Sequence, residues 1–128
     1  MNQQELKQRT KDFALRVIKM VDALPKKPSA SVLGHQLLRS GTSVAANYRA
    51  ACRARSPAEF IAKMGVVEEE ADESAFWVEL IGDAGLQKAE RLSGLLQEAN
   101  ELTATTVASI KPRAGRLRAA LCNSAIRN

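Results

Sequence analysis

Three pairs of carboxylates in this chain have a spacing that could do chemistry: Glu69 with Asp72, Glu70 with Glu73, and Glu98 with Glu101. Acids three residues apart share one face of a helix. Two such faces on neighbouring helices could hold Mg²⁺ against the phosphates of a nucleotide, the chemistry of a Mg²⁺-dependent all-α nucleotide hydrolase. The same spacing also arises on any solvated helix face, where carboxylates meet water or arginine, and that plainer reading is adopted. His35 has Val32, not an acid, three residues before it. The Glu-x-x-His pair of di-iron bundles is therefore missing. Cys52 and Cys122 lie far apart and form no Cys-x-x-Cys pair, which points to reduced thiols in a cytoplasmic protein and to neither a zinc site nor a disulfide scaffold. No catalytic residue, metal ligand or cofactor is assigned, and the chain is read as not an enzyme.

Cations offer a different chemistry. The formal net charge is +5, and its distribution matters more than its size. Residues 1–110 carry 14 basic and 14 acidic side chains, so the excess lies in Lys111, Arg113, Arg116, Arg118 and Arg127. A second basic stretch, Arg39, Arg49, Arg53, Arg55 and Lys63, is opposed only by Glu59, while Glu68 to Glu73, Glu79 and Asp83 form an acidic block. The protein is electrostatically polarised. Arg49, Arg53 and Arg55 are spaced for one helical surface. With Arg113, Arg116 and Arg118 they are the candidate nucleic-acid-binding residues, because guanidinium groups suit phosphate. The ordinary alternative is solubility charge on a helix.

Ser40, Ser43 and Asn47 introduce polar atoms into a run that otherwise reads as a helix, and Ser40 and Asn47 fall on its inward stripe with Leu33, Leu37, Val44 and Ala51. Buried polar groups are costly unless bonded. These three could form a structural polar network that fixes register and assembly, or simply bond back to carbonyls of the preceding turn.

Four amphipathic runs must position these groups. The first spans about 3–24, with Leu6, Thr10, Phe13, Val17, Met20 and Leu24 at spacings of three and four. Pro25 to Pro28 stop it, and Ser29 or Ser31 can cap the second run, about 30–54, which carries a weak point at Ser40-Gly41-Thr42. Ser56-Pro57-Ala58-Glu59 starts a third helix with the pattern of a capping box. Its stripe is Phe60, Met64, Val67, Ala71, Ser74, Val78 and Ile81, and Gly82 to Gly85 end it. The fourth run, about 87–110, carries Leu92, Leu95, Ala99, Leu102, Thr106 and Ile110, with Pro112 and Gly115 beyond. No strand alternation occurs, no apolar stretch is long enough for a membrane, and the first residues do not resemble a signal peptide. The expected fold is an all-α, antiparallel up-down four-helix bundle over residues 1–112, with a basic, partly disordered tail over 113–128. Helix 3 also carries more apolar surface than one stripe needs, with Ile61, Val66, Phe76 and Trp77 outside it.

Three motifs in order carry a resemblance: Leu37-Leu38-Arg39-Ser40-Gly41-Thr42-Ser43-Val44-Ala45-Ala46-Asn47, then Arg53-Ala54-Arg55-Ser56-Pro57-Ala58-Glu59-Phe60, then Glu70 through Leu80. Over about residues 5–112 the chain resembles the four-helix-bundle proteins encoded by intervening sequences in 23S ribosomal RNA genes, relatives of the accessory proteins of diversity-generating retroelements. The resemblance implies a four-helix protomer that assembles as a cyclic homopentamer. It also implies RNA or DNA as a suspected partner, and no enzymatic activity. The family often has a glutamate three residues after the asparagine, where this chain has Ala50, so no role of that acid carries over. A protein-interaction scaffold without nucleic-acid affinity is the competing expectation.

Overall fold

The computed structural model describes the backbone of residues 1–127, with side chains as far as Ala120 together with Cys122. Four helices account for it: α1 (Gln3–Asp22), α2 (Pro28–Cys52), α3 (Pro57–Asp83) and α4 (Ala89–Arg127), with no strand among the described residues. Local chemistry sets the boundaries. Asn2 Oδ1 accepts from the Glu5 N–H at 2.8 Å, and the Glu5 carboxylate accepts from the Asn2 N–H at 3.3 Å, closing a capping box on α1. The cap of α2 is Lys27, not Ser29 or Ser31, and makes no side-chain bond. Pro28 has the φ of a first helical turn built in, so the helix starts ahead of both serines.

Ser56 Oγ accepts from the Glu59 N–H at 3.1 Å, as its position suggests. The Glu59 carboxylate then accepts from Arg55 N–H at 3.1 Å instead of from Ser56, so the expected box closes one residue early. At the end of α3, Gly85 takes φ +71°. Its N–H donates to the Gly82 carbonyl at 3.0 Å and that of Leu86 to Ile81 at 3.1 Å. This is the Schellman pattern, which needs a left-handed residue at Gly85 and buries the leucine that follows.

Two stretches differ from expectation. α2 runs without interruption through Ser40-Gly41-Thr42, because the hydroxyls bond within the helix: Thr42 Oγ1 donates to the Leu38 carbonyl at 2.7 Å. Gly41 is used for approach, not for a kink. A Cβ there would stand 2.7 Å from Val17 Cγ2, so its absence lets α1 and α2 close.

The second difference is at the C-terminal end, where α4 continues past residue 110 with Pro112 inside it. An internal proline loses a helical hydrogen bond and crowds the preceding turn, costing about 3 kcal/mol. Tertiary contact opposes that cost. The Arg113 guanidinium sits 4.1 Å from the centre of the Phe60 ring, and Leu117 and Ala120 share a groove with Pro57 and Phe60. Of the tail expected over 113–128, Asn128 lies outside the described residues.

α2 packs against α1 and α3, α3 against α4, and α1 closes more lightly on α4, while the backbones of α1 and α3 make no close approach. The expected stripes turn inward: Phe13, Val17, Leu37, Val44, Met64, Val78, Ile81 and Leu102 are essentially inaccessible. Each such side chain contributes about 1.5–3 kcal/mol by leaving water. Trp77 packs against this core and Phe76 points outward, their rings edge-on at 5.0 Å. No helix among the described residues is long and apolar enough to cross a membrane.

Candidate nucleic-acid interface

The C-terminal half of α2 positions the arginines. Arg49 and Arg53, four residues apart and both exposed, line two grooves at once. One groove runs between α1 and α2, where Lys7 and Lys11 face them across a floor of Thr42, Ala45 and Ala46. The other turns the corner into α3 and adds Arg55 and Lys63, with Glu59 as its one acid. Among the described residues, no carboxylate lies within ion-pair distance of the guanidinium groups of Arg49, Arg53 or Arg55. Gln4 and Gln8 also line the first groove, while the second is otherwise lined by the small side chains Ala46 and Ala50, which leave room for a phosphate beside the guanidinium groups.

Arg113 and Arg116 line a third groove of about 460 Å³ with Cys52, Ser56, Pro57 and Phe60. Arg113 is engaged in packing: its guanidinium covers the Phe60 ring, a contact worth roughly 0.5–2 kcal/mol, and its charge is felt by the Tyr48 phenol. Arg116 and Arg118 are exposed. The six candidate arginines therefore fall into a group of three on α2 and its following turn and a group of three on α4, and Arg118 lines neither groove.

The polar residues of α2 also divide. Ser40 is fully buried and faces α3, where its Oγ lies 2.9 Å from Ser74 Oγ. Ser40 Oγ is also 3.3 Å from the Leu37 carbonyl, and Ser74 Oγ is 2.8 Å from that of Glu70. Two protons serve three contacts, so the pair can point either way along the relay and remain satisfied. Ser43 and Asn47 form a separate, half-buried unit within α2: Asn47 Nδ2 donates to Ser43 Oγ at 2.7 Å and to the Ser43 carbonyl at 2.9 Å. Ser74 is the partner that sequence reasoning missed as a network member. Its place on the α3 stripe is the signal that could have found it. Ser74→Ala should cost about 1 kcal/mol in urea unfolding, and Ser40→Ala with Ser74→Ala should cost less than the two singles summed, because removing both hydroxyls leaves no stranded one.

Two of the three carboxylate pairs face arginines, while Glu69 and Asp72 pair with no cation among the described residues. Glu70 holds Arg39 at 3.2 Å, Glu73 also pairs with Arg39, and Trp77 Nε1 donates to Glu73 at 3.1 Å. Glu98 accepts two bonds from Arg9, at 2.9 and 2.5 Å, and Glu101 stands 3.4 Å away. Glu98 raises the Arg9 pKa by hydrogen bonding, against the opposing effect of burial. Arg39, grouped with the basic stretch by sequence, is thus tied across α2 and α3. Among the described residues no cluster of three His, Cys, Asp or Glu could hold a metal. His35 is exposed near the start of α2.

Tyr48 is buried at 3% exposure under this region. Burial, then the neighbouring Cys52 thiol, raises its pKa well above the ordinary tyrosine value, and Arg113 pulls weakly the other way.

Comparison with known proteins agrees with the fold. The family model described as 23S rRNA-intervening sequence protein matches residues 2–108. A solved structure from Bacteroides thetaiotaomicron VPI-5482, described as a protein with unknown function from the S23 ribosomal protein family, is 31% identical in sequence. It superposes with a TM-score of 0.77, over 82% of this chain and 97% of that one. A search of the curated proteins gave no match.

Proposed function

The chain belongs to the 23S rRNA-intervening sequence protein family, and on that premise we propose that it is a non-enzymatic, cytoplasmic, cyclic homo-oligomer, a pentamer, that binds structured RNA or DNA through repeated basic patches. The protomer is an antiparallel up-down bundle. Connections of a few residues support this, since they cannot carry the chain back along a helix. The observation that carries the binding is the set of unpaired guanidinium groups of Arg49, Arg53 and Arg55 beside Lys63 on one groove surface, against the single acid Glu59. Symmetry repeats it in every copy, so a modest patch becomes a collar.

Phosphate contacts dominate this mode. None of the aromatic rings lines either α2 groove, so the stacking platform of single-strand binders is lacking. Affinity then follows counterion release, falling as about the 0.9 power of salt per phosphate contacted. Fluorescence polarisation with duplex and single-stranded RNA at two salt concentrations is the test. Binding at low salt that weakens steeply at high salt, and that weakens at least about tenfold in Arg49→Gln/Arg53→Gln/Arg55→Gln, is the expected result. No binding at low salt would reject the nucleic-acid reading in favour of a protein scaffold.

A further inference from the structure

The backbones of α1 and α3 make no close approach within one copy, and their outward faces are opposite in character. α1 presents Lys11, Leu15 and Ile18 along one exposed stripe, with Leu15 at 55% and Ile18 at 38% exposure. α3 presents Glu69, Asp72 and Phe76 along another, with Phe76 at 51%. Each stripe has charge at one end and an apolar group beside it. The charges are of opposite sign, and none of the three ions has an ion-pair partner among the described residues of its own copy. Lys11 precedes Leu15 by four residues, as Asp72 precedes Phe76.

We infer that the α1 face of one copy docks on the α3 face of the next, with Leu15 and Ile18 covering Phe76 and with Lys11 against Glu69 and Asp72. This rests on the cyclic-oligomer reading above and gives it an interface. A closed ring needs two different surfaces on well-separated sides of the protomer, because head-to-tail contacts are heterologous. Two diagonal helices supply that. Levels match as well. Val17 lies against the position of Gly41, and Ser40 bonds Ser74, so the middle of α1 stands level with the middle of α3. Rotation about an axis along the helices preserves height and brings these levels together. Apolar contact supplies the adhesion, and the charge pairing rejects the two like-with-like docking modes, α1 on α1 and α3 on α3.

Light scattering on the full chain and its variants tests this. Leu15→Glu/Ile18→Glu, and separately Phe76→Glu, should each reduce the particle to the 13.9 kDa of one chain with helical circular dichroism kept. Mixed together, they should form a complex of two chains and no more, because one variant retains an intact α3 face and the other an intact α1 face. A milder pair guards against misfolding: Lys11→Glu and Asp72→Lys should each weaken assembly, and the double variant should restore it. Variants that keep the parent mass, or a mixture that stays single chains, would overturn this interface. A single-chain parent protein would instead overturn the oligomer reading itself.

Discussion

Gly41→Val should lower the unfolding free energy by about 3 kcal/mol, at the upper end of the usual cost of overpacking. Even a single added carbon at this position would meet Val17 Cγ2 at 2.7 Å, Cγ1 at 2.8 Å and Cβ at 3.1 Å. Val17 cannot swing aside. It is fully buried, and its branched side chain has one strongly favoured rotamer in a helix. The only relief is to move α1 away from α2, which would open the core around Phe13 and Leu37. Helix propensity acts in the other direction, but the few tenths of a kcal/mol it returns cannot compensate. A urea titration of the variant should show the midpoint falling. Adding Val17→Ala should recover part of the loss, with a favourable coupling of about 1 kcal/mol or more. Full additivity would mean that the two residues do not meet, and would remove the account of Gly41 as a point of close approach.

Alkaline unfolding governed by Tyr48 is the second large effect. The native state holds the phenol neutral, because ionising it would place a charge in apolar surroundings beside the Cys52 thiol. Its folded-state pKa is therefore raised. The sign follows: the stabilising contribution of the neutral phenol is fully present below the unfolded-state value of about 10 and is lost as pH climbs above it. The unfolded chain releases the proton there, and the folded one does not. Stability should fall by about 1.4 kcal/mol for each pH unit beyond that point. Tyr48 is the only tyrosine, so ultraviolet absorbance of tyrosinate reads it alone. It should titrate together with unfolding and not before it. Tyr48→Phe should remove most of the dependence. A tyrosinate signal near pH 10 in a chain that stays folded would place the phenol at the surface.

Much of the arrangement was legible in the sequence, for a physical reason. The stripes Leu6 to Val17 on α1 and Met64 to Ile81 on α3 are set by helical periodicity, and burying them is the main favourable term in folding. Ser56 with Pro57 and the glycine at position 85 act through bonds spanning a few residues, so their effects could be read locally. The three motifs identified the family that the comparison then matched over residues 2–108.

Only tertiary structure could decide the rest, because it depends on which faces meet. Local rules end a helix near Pro112. The Arg113–Phe60 contact lies 53 residues away along the chain and carries α4 past it. Arg39 looked like one more cation of a basic stretch until α3 brought Glu70 and Glu73 against it. Ser40 found Ser74 across the α2–α3 seam, while Asn47 turned back to Ser43 on its own helix. A sequence states that a residue is polar or charged. Whether that group is bonded within its helix, paired across a seam, or left open to a phosphate is fixed by the packing partner, and no local pattern encodes the partner.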